Sequence, residues 1–266
     1  MKNILLLVHD DTGQEARLQV ALDVTRALNG HLECLDVMAL PMIISDYYAD
    51  SFEATVMVKE QEREGKNVAR LTQRLATEDV AWSMGETYGT LVEAMIDASQ
   101  MADLIVVSAR LGDDADEKRH ARPERLPLAS RRPILAVPPQ CRGMDATGTV
   151  VVAWDGSRAG NEALRAAVPL LTRANEVVLL EVNQPEGAFA MKDAATYLSR
   201  HGIAADLVER ETRGAVADVI LKHAENRNAA FIVMGAYGTP SVAEAVFGGV
   251  TRTMLSQSPI PLFVAH

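Results

Sequence analysis

Cysteine is almost absent from this chain: Cys34 and Cys141 are the only two in 266 residues. Two thiols build no disulfide framework, and such scarcity suits a reducing compartment. Positive charge is in deficit, with 26 Lys+Arg against 36 Asp+Glu and a net charge of −10. That balance argues against a nucleic-acid partner, which calls for a basic footprint. Long hydrophobic runs are missing too. Its apolar runs, such as Ile4 to Val8 and Val150 to Trp154, are strand-sized and far short of the ~18 apolar residues of a membrane span. The opening Met-Lys-Asn-Ile-Leu-Leu-Leu-Val enters a strand at once, without the apolar region and small-residue cleavage site of a signal peptide. The expectation is a cytoplasmic protein with no membrane partner. Metal-ligand spacing is also lacking. His9, His31, His120, His201, His223 and His266 form no His-x3-His pair and flank no cysteine, so no metal site is expected. Ser157 has no Gly-x-Ser-x-Gly setting, and no catalytic nucleophile and base can be named.

What is present is an internal repeat. Hydrophobic residues at 48% and charged residues at 23% make an ordinary globular balance, and the length suits one large or two small domains. Residues 3–12, Asn-Ile-Leu-Leu-Leu-Val-His-Asp-Asp-Thr, parallel residues 148–157, Gly-Thr-Val-Val-Val-Ala-Trp-Asp-Gly-Ser. Each run ends in an Asp-containing turn and leads into a helix-period stretch, then a second strand, 31–37 or 176–182. Glu86-Thr-Tyr-Gly89 matches Glu211-Thr-Arg-Gly214, each expected between a strand (80–83; 206–209) and a helix (about 89–101; about 214–226). Asp103 to Ser108 matches Ala230 to Gly235, and Pro133-Ile-Leu-Ala-Val matches Pro261-Leu-Phe-Val-Ala. Five apolar strands alternating with helices, twice over, predict an α/β fold with parallel strands buried on both faces.

The break falls in Pro138-Pro-Gln-Cys-Arg-Gly-Met-Asp-Ala-Thr-Gly148, which reads as a linker. It divides the chain into domains at 1–140 and 147–266. Residues 1–145 carry 16 basic and 24 acidic residues, residues 146–266 carry 10 and 12, so the second half suits an anionic ligand better. The last strand of each half, 134–137 and 262–265, is expected at a sheet edge. Pairing the two across a pseudo-two-fold axis would cover both.

The chemistry points to Gly235-Ala-Tyr-Gly238-Thr-Pro-Ser-Val-Ala-Glu-Ala-Val-Phe-Gly248-Gly249-Val250-Thr251-Arg252. It follows a buried strand and runs into a helix expected over 249–257. Glycines at a strand end permit close backbone approach, and the amides and dipole of a helix N-terminus bind phosphate. In a 3-2-1-4-5 sheet, ligands bind where strand order reverses, between the first and fourth strands. Asp155-Gly156-Ser157 ends the first strand of the second half and Gly235 ends its fourth. Asp155 there either accepts hydrogen bonds from a ribose or base, or caps a helix over 158–173.

These residues resemble the universal stress protein family. Gly235, Gly238 and Gly248 stand in its Gly-x2-Gly-x9-Gly arrangement, preceded by Val-Met234, followed by Gly249-Val250-Thr251, and joined by Val-Ala153-Trp154-Asp155 at the first strand. The resemblance covers nearly the whole chain as two tandem domains. It implies a Rossmann-like fold of the adenine nucleotide alpha hydrolase type and a cytoplasmic stress-response protein. It further implies that ATP, or AMP or ADP, with Mg2+ in attendance, binds the second domain. By resemblance, Asp155 contacts the ribose or adenine side and Val182 flanks the adenine, while Gly235, Gly238, Gly248, Gly249, Val250 and Thr251 line the phosphates. Single-domain relatives dimerise through their last strands, so the tandem chain is an intramolecular pseudo-dimer; a further homodimer is left open.

Two departures matter. The family carries Ser or Thr after the third glycine, where this chain has Gly249; Thr251 is the residue that could compensate. The first half keeps Asp10 and Asp11 at its first turn but retains only Gly112 in the corresponding loop, among Asp113, Asp114, Asp116 and Glu117. It is expected not to bind nucleotide. A regulatory nucleotide-binding role is the favoured reading. Its rivals are an interaction scaffold with decayed sites and, behind it, a slow ATPase. An adenylyl transferase or ATP pyrophosphatase would need a His-x-Gly-His or Ser-Gly-Gly-x-Asp turn that is not there. His9 is expected either in a polar contact or ligand role at the strand end or as a part-buried histidine bonded to backbone. Cys34 is expected in the core, and Met38 to about Ala54 as packing, a lid or a partner surface.

Overall fold

The computed structural model describes residues 1–38, 51–109, 126–183, 189–236 and 249–266. In the first half, β1 (Asn3–Val8), α1 (Gln14–Leu28), β2 (His31–Met38), α2 (Ser51–Leu75), β3 (Ala81–Tyr88), α3 (Leu91–Ala98), β4 (Leu104–Ser108), α4 (Leu126–Ser130) and β5 (Ile134–Val137) follow in order. The second half repeats the scheme with β6 (Thr149–Ala153), α5 (Arg158–Leu171), β7 (Glu176–Val182), α6 (Met191–Arg200), β8 (Ala205–Arg210), α7 (Val216–Asn226), β9 (Phe231–Gly235), α8 (Gly249–Gln257) and β10 (Leu262–Ala265).

All ten strands join one sheet, in the order β3-β2-β1-β4-β5-β10-β9-β6-β7-β8. Each half is therefore a 3-2-1-4-5 parallel sheet. The seam between β5 and β10 is antiparallel, with Leu135 opposite Phe263, so each last strand removes the other's open edge. Alternate residues of each strand feed two cores. Leu6, Leu32, Val152, Leu179 and Trp154 face one side with α1 and α5. Leu7, Leu35, Ile232 and Val264 face the other with α7 and α8. Both faces are covered, which is why the strands read as continuous apolar runs.

One element differs from its expected bounds in an instructive way. The third strand runs on to Tyr88, so Glu86-Thr87-Tyr88 lies within it, whereas Glu211 to Gly214 is a turn after β8. β2 continues to Met38 and carries its neighbour with it, pairing Val37 with Thr87 and Met38 with Tyr88. β7 stops at Val182, opposite Arg210. The helix expected over 89–101 forms as α3 followed by a 3-10 turn at Ser99–Met101. The helix expected over 158–173 ends at Leu171, where Thr172 caps it. Cys34 is fully buried, as expected. The longer stretch after β2 lies mostly in residues 39–50, outside the described residues.

Candidate nucleotide site

Three strand ends of the second half meet at one edge of the sheet. Ala153 pairs with Leu180 of β7 on one side and with Met234 of β9 on the other. The chain beyond β6 then turns sharply. Trp154 donates its backbone N–H to Leu180 O at 2.9 Å. Its ring is buried, and its indole N–H donates to Asn161 Oδ1 at 3.0 Å. Asp155 is exposed and closes a turn, accepting from Ser157 N at 3.0 Å. Ser157, not Asp155, caps α5: its Oγ accepts from Gly160 N at 3.0 Å. Asp155 is therefore not needed as the helix cap.

Gly235 has a structural reason to be glycine. A β carbon there would lie 2.5 Å from Gly160 N and 2.6 Å from Ala159 C. Both are backbone atoms in the first turn of α5, which cannot move aside as a side chain could. Gly249 is different: among the described residues a β carbon there would meet nothing within 4 Å. Its missing hydroxyl is thus not forced by lack of space. α8 begins at Gly249, and because β10 runs parallel to β9, this helix returns the chain to the opposite edge of the sheet. Its N-terminus accordingly lies at the edge where β6, β7 and β9 end. Thr251 is buried with Met254 and Leu255 on the inward face of α8, at the i, i+3, i+4 spacing of a packed stripe. Val250 and Val182 are half-buried. Gly238 and Gly248 lie outside the described residues.

The first half fills the same place with its own side chain. Arg17 of α1 is 1% exposed. Its Nη1 donates to Asp11 Oδ1 and Oδ2 at 2.8 and 2.9 Å and to Ser108 Oγ at 2.5 Å. Its Nε and Nη2 donate to Leu7 O and His9 O at 3.3 and 3.2 Å. Ser108 is the last residue of β4, the counterpart of Gly235 in β9. One guanidinium therefore ties together the carboxyl ends of the first and fourth strands. Among the described residues α5 puts no cation there: its buried residues at this end are Ala159, Gly160, Ala163 and Leu164. Asp10 and Asp11, carried at this turn in the sequence, serve Arg63, Arg70 and Arg17 instead. His9 is not simply bonded to backbone: its Nδ1 lies 3.3 Å from Glu64 Oε1.

Sequence reasoning missed one feature. The residue before the final valine of the second strand is a buried acid in both halves, Asp36 in β2 and Glu181 in β7, each 2% exposed. Burial, with Glu209 and Asp155 nearby, pushes the Glu181 carboxyl above its ordinary range. Burial, with Glu64 and Glu86 nearby, pushes Asp36 up to about 6. The signal was in the strings Leu35-Asp36-Val37 and Leu180-Glu181-Val182, an acid inside an otherwise apolar strand.

Comparison with known proteins agrees with this architecture. Residues 147–266 match the model of the universal stress protein family. A universal stress protein from Archaeoglobus fulgidus superposes with a TM-score of 0.71 at 17% identity, covering 100% of this chain and 98% of its own. A functionally unknown protein from Pseudomonas aeruginosa superposes with a TM-score of 0.57 at 17% identity, over 100% and 92% of the two chains. A putative universal stress protein from the same species does so with a TM-score of 0.56 at 18% identity, over 100% and 93%. No curated protein matches. The family model thus accounts for the second half, and the solved structures share their fold with both halves.

Proposed function

We propose that the second half binds an adenine nucleotide, ATP or a relative with Mg2+, as a regulatory ligand in a stress response. The observation that carries this reading is a convergence at one sheet edge. The exposed Asp155 after β6, Val182 at the end of β7 and the N-terminus of α8 all lie there, in a half that matches the family model. An exposed carboxylate offers acceptors to ribose hydroxyls, Val182 offers an apolar surface to a base, and helix amides offer donors to phosphate. Gly238 and Gly248, with Gly235, supply the spacing the family uses for phosphates. No nucleophile–base arrangement can be named from the sequence, and regulation rather than turnover is the favoured reading.

Domains at 1–140 and 147–266 fit this division of labour: the first is closed on itself by Arg17, and the second holds the ligand. Gly249, which leaves an unhindered position without a hydroxyl, favours the rival reading of a scaffold with a decayed site. Calorimetric titration of ATP with magnesium into wild type and a Gly238→Asp, Gly248→Asp variant separates the two. One saturable site, lost in a variant that still folds by circular dichroism, is the expected result. Absence of binding by ATP, ADP and AMP alike would leave the scaffold.

A further inference from the structure

β2 carries one acid in the buried part of its run. Asp36 pairs with Val8 of β1 and with Glu86 of β3. It is 2% exposed, and its Oδ1 is buried with no hydrogen-bond partner. Leu32 and Cys34, at alternate positions before it, belong to the core under α1 and α2, so Asp36 looks to the same side. There it meets Glu64 of α2, itself only 5% exposed. Glu64 in turn holds His9 Nδ1 at 3.3 Å and accepts from Arg63 Nη2 at 3.3 Å.

The charged groups around Asp36 come from every element packed on it. From the end of β1 come His9 and Asp10. From α2 come Glu64, Arg63 and Arg70, with Arg63 and Arg70 lying 3.7 and 3.3 Å from Asp10. From β3 comes Glu86. From α1 comes Arg17, which is engaged by Asp11. Among the described residues no cation pairs with Asp36. The groups nearest it, Glu64 and Glu86, are both acids.

A buried carboxyl with one unpartnered oxygen, facing two other acids, calls for a ligand. A metal ion does not fit, because no group of three or more His, Cys, Asp or Glu among the described residues is arranged to hold one. An organic cation does not fit either, since Oδ1 is sealed from solvent. A proton fits: it removes the charge, relieves the repulsion and lets one carboxyl donate to another. The second half has the buried acid, Glu181, but neighbours it with Glu209 and Asp155 rather than with a helix-borne glutamate paired to a histidine.

We propose that Asp36, Glu64 and His9 form a proton-operated latch that seats the middle of α2 on the ends of β1 and β2 when protonated and loosens it when the proton leaves. Burial first, then Glu64 and Glu86, raise Asp36 from 3.8 to about 6, against the opposing Val37 amide. A carboxyl with a raised value in the docked state stabilises docking at low pH, and that contribution is lost as pH climbs through about 6. The latch is independent of the nucleotide reading, since none of its residues lies in the second half.

Amide hydrogen exchange on the full chain tests it, read in α2 beyond residue 61 and in α5 as an internal control, after correction for intrinsic exchange. The linkage relation for the raised Asp36 value predicts that protection of α2 falls about tenfold between about pH 5 and about pH 7.5. α5 should not follow. Asp36→Asn should flatten the α2 profile and Glu64→Gln should shrink it. A pH-independent α2, or an unchanged slope in Asp36→Asn, overturns the proposal. A second measurement needs no variant: carbon-detected titration of the Asp36 carboxyl in wild type. A midpoint near 6 supports the latch, and one at the ordinary value of 3.8 overturns it.

Discussion

Gly235 and Gly160 touch backbone to backbone: a β carbon on Gly235 would stand 2.5 Å from Gly160 N. The end of β9 approaches the first turn of α5 so closely that no side chain fits on Gly235. Gly235→Ala should therefore cost stability, about 1–3 kcal/mol by the usual scale of forced overpacking. Denaturant unfolding with and without ATP checks this. An unchanged midpoint would mean that the contact relaxes freely.

Gly249 makes the opposite prediction. Its neighbourhood is open to a β carbon, so Gly249→Ser should change stability by no more than ~0.5 kcal/mol. If the nucleotide reading holds, the restored hydroxyl adds one hydrogen bond of ~0.5–1.5 kcal/mol. ATP should then bind about two- to tenfold more tightly by calorimetry. Weaker binding would place Gly249 where only glycine is accepted.

Arg17 should be essential to the first half and irrelevant to nucleotide stoichiometry. Arg17→Met takes the guanidinium donor from Asp11, Ser108 and two carbonyls. Because Asp11 keeps partial solvent contact, the expected loss is roughly 2–3 kcal/mol rather than that of a fully buried pair. Arg17→Lys should recover little, since an ammonium cannot reproduce the planar fork. Thermal unfolding together with ATP titration reads both points. A second nucleotide site in Arg17→Met would show that Arg17 alone keeps the first half closed.

Asp36 sets a pH dependence in global stability. Its raised value, about 6, means that the folded chain holds a proton the unfolded chain has released. Stability should fall as pH climbs from about 4 through about 6. Asp36→Asn should be more stable than wild type above that window, with the difference fading below it. Urea unfolding at a series of pH values measures the difference, and a constant difference across the series would remove Asp36 as its source.

The two thiols should separate cleanly. Burial pushes Cys34 up to about 12 and hides it wholly in β2, whereas Cys141 is only partly buried in the linker. A thiol reagent should modify Cys141 in the folded chain and reach Cys34 only on unfolding. Rapid modification of both would mean that β2 opens readily.

Much of the fold could be read in advance because its causes are local and periodic. Runs such as Val150-Val-Val-Ala153 and Phe231-Ile-Val-Met-Gly235 can be buried on both faces only as central parallel strands. The repetition of the whole series gave the sheet a second set of five strands like the first. The antiparallel meeting of Ile134–Val137 with Leu262–Ala265 followed from the need to cover two edges. The start of α8 at Gly249 was legible as well, because glycine-rich chain gives way there to helix-period residues.

What stayed hidden depends on neighbours far away in sequence. Nothing in the string around Arg17 tells that its guanidinium crosses to Ser108, 91 residues on. Nor does His9 announce Glu64, whose helix folds back over it. The sequence offered Asp155 as the cap of α5, and only the backbone geometry gave the cap to Ser157. The amino-acid sequence by itself determined the strands, their order and the duplication, because periodicity and edge burial act along the chain. Tertiary structure alone decided that one half closes on a buried arginine while the other packs glycine on glycine, because a side chain's partners are chosen by where distant strand ends converge.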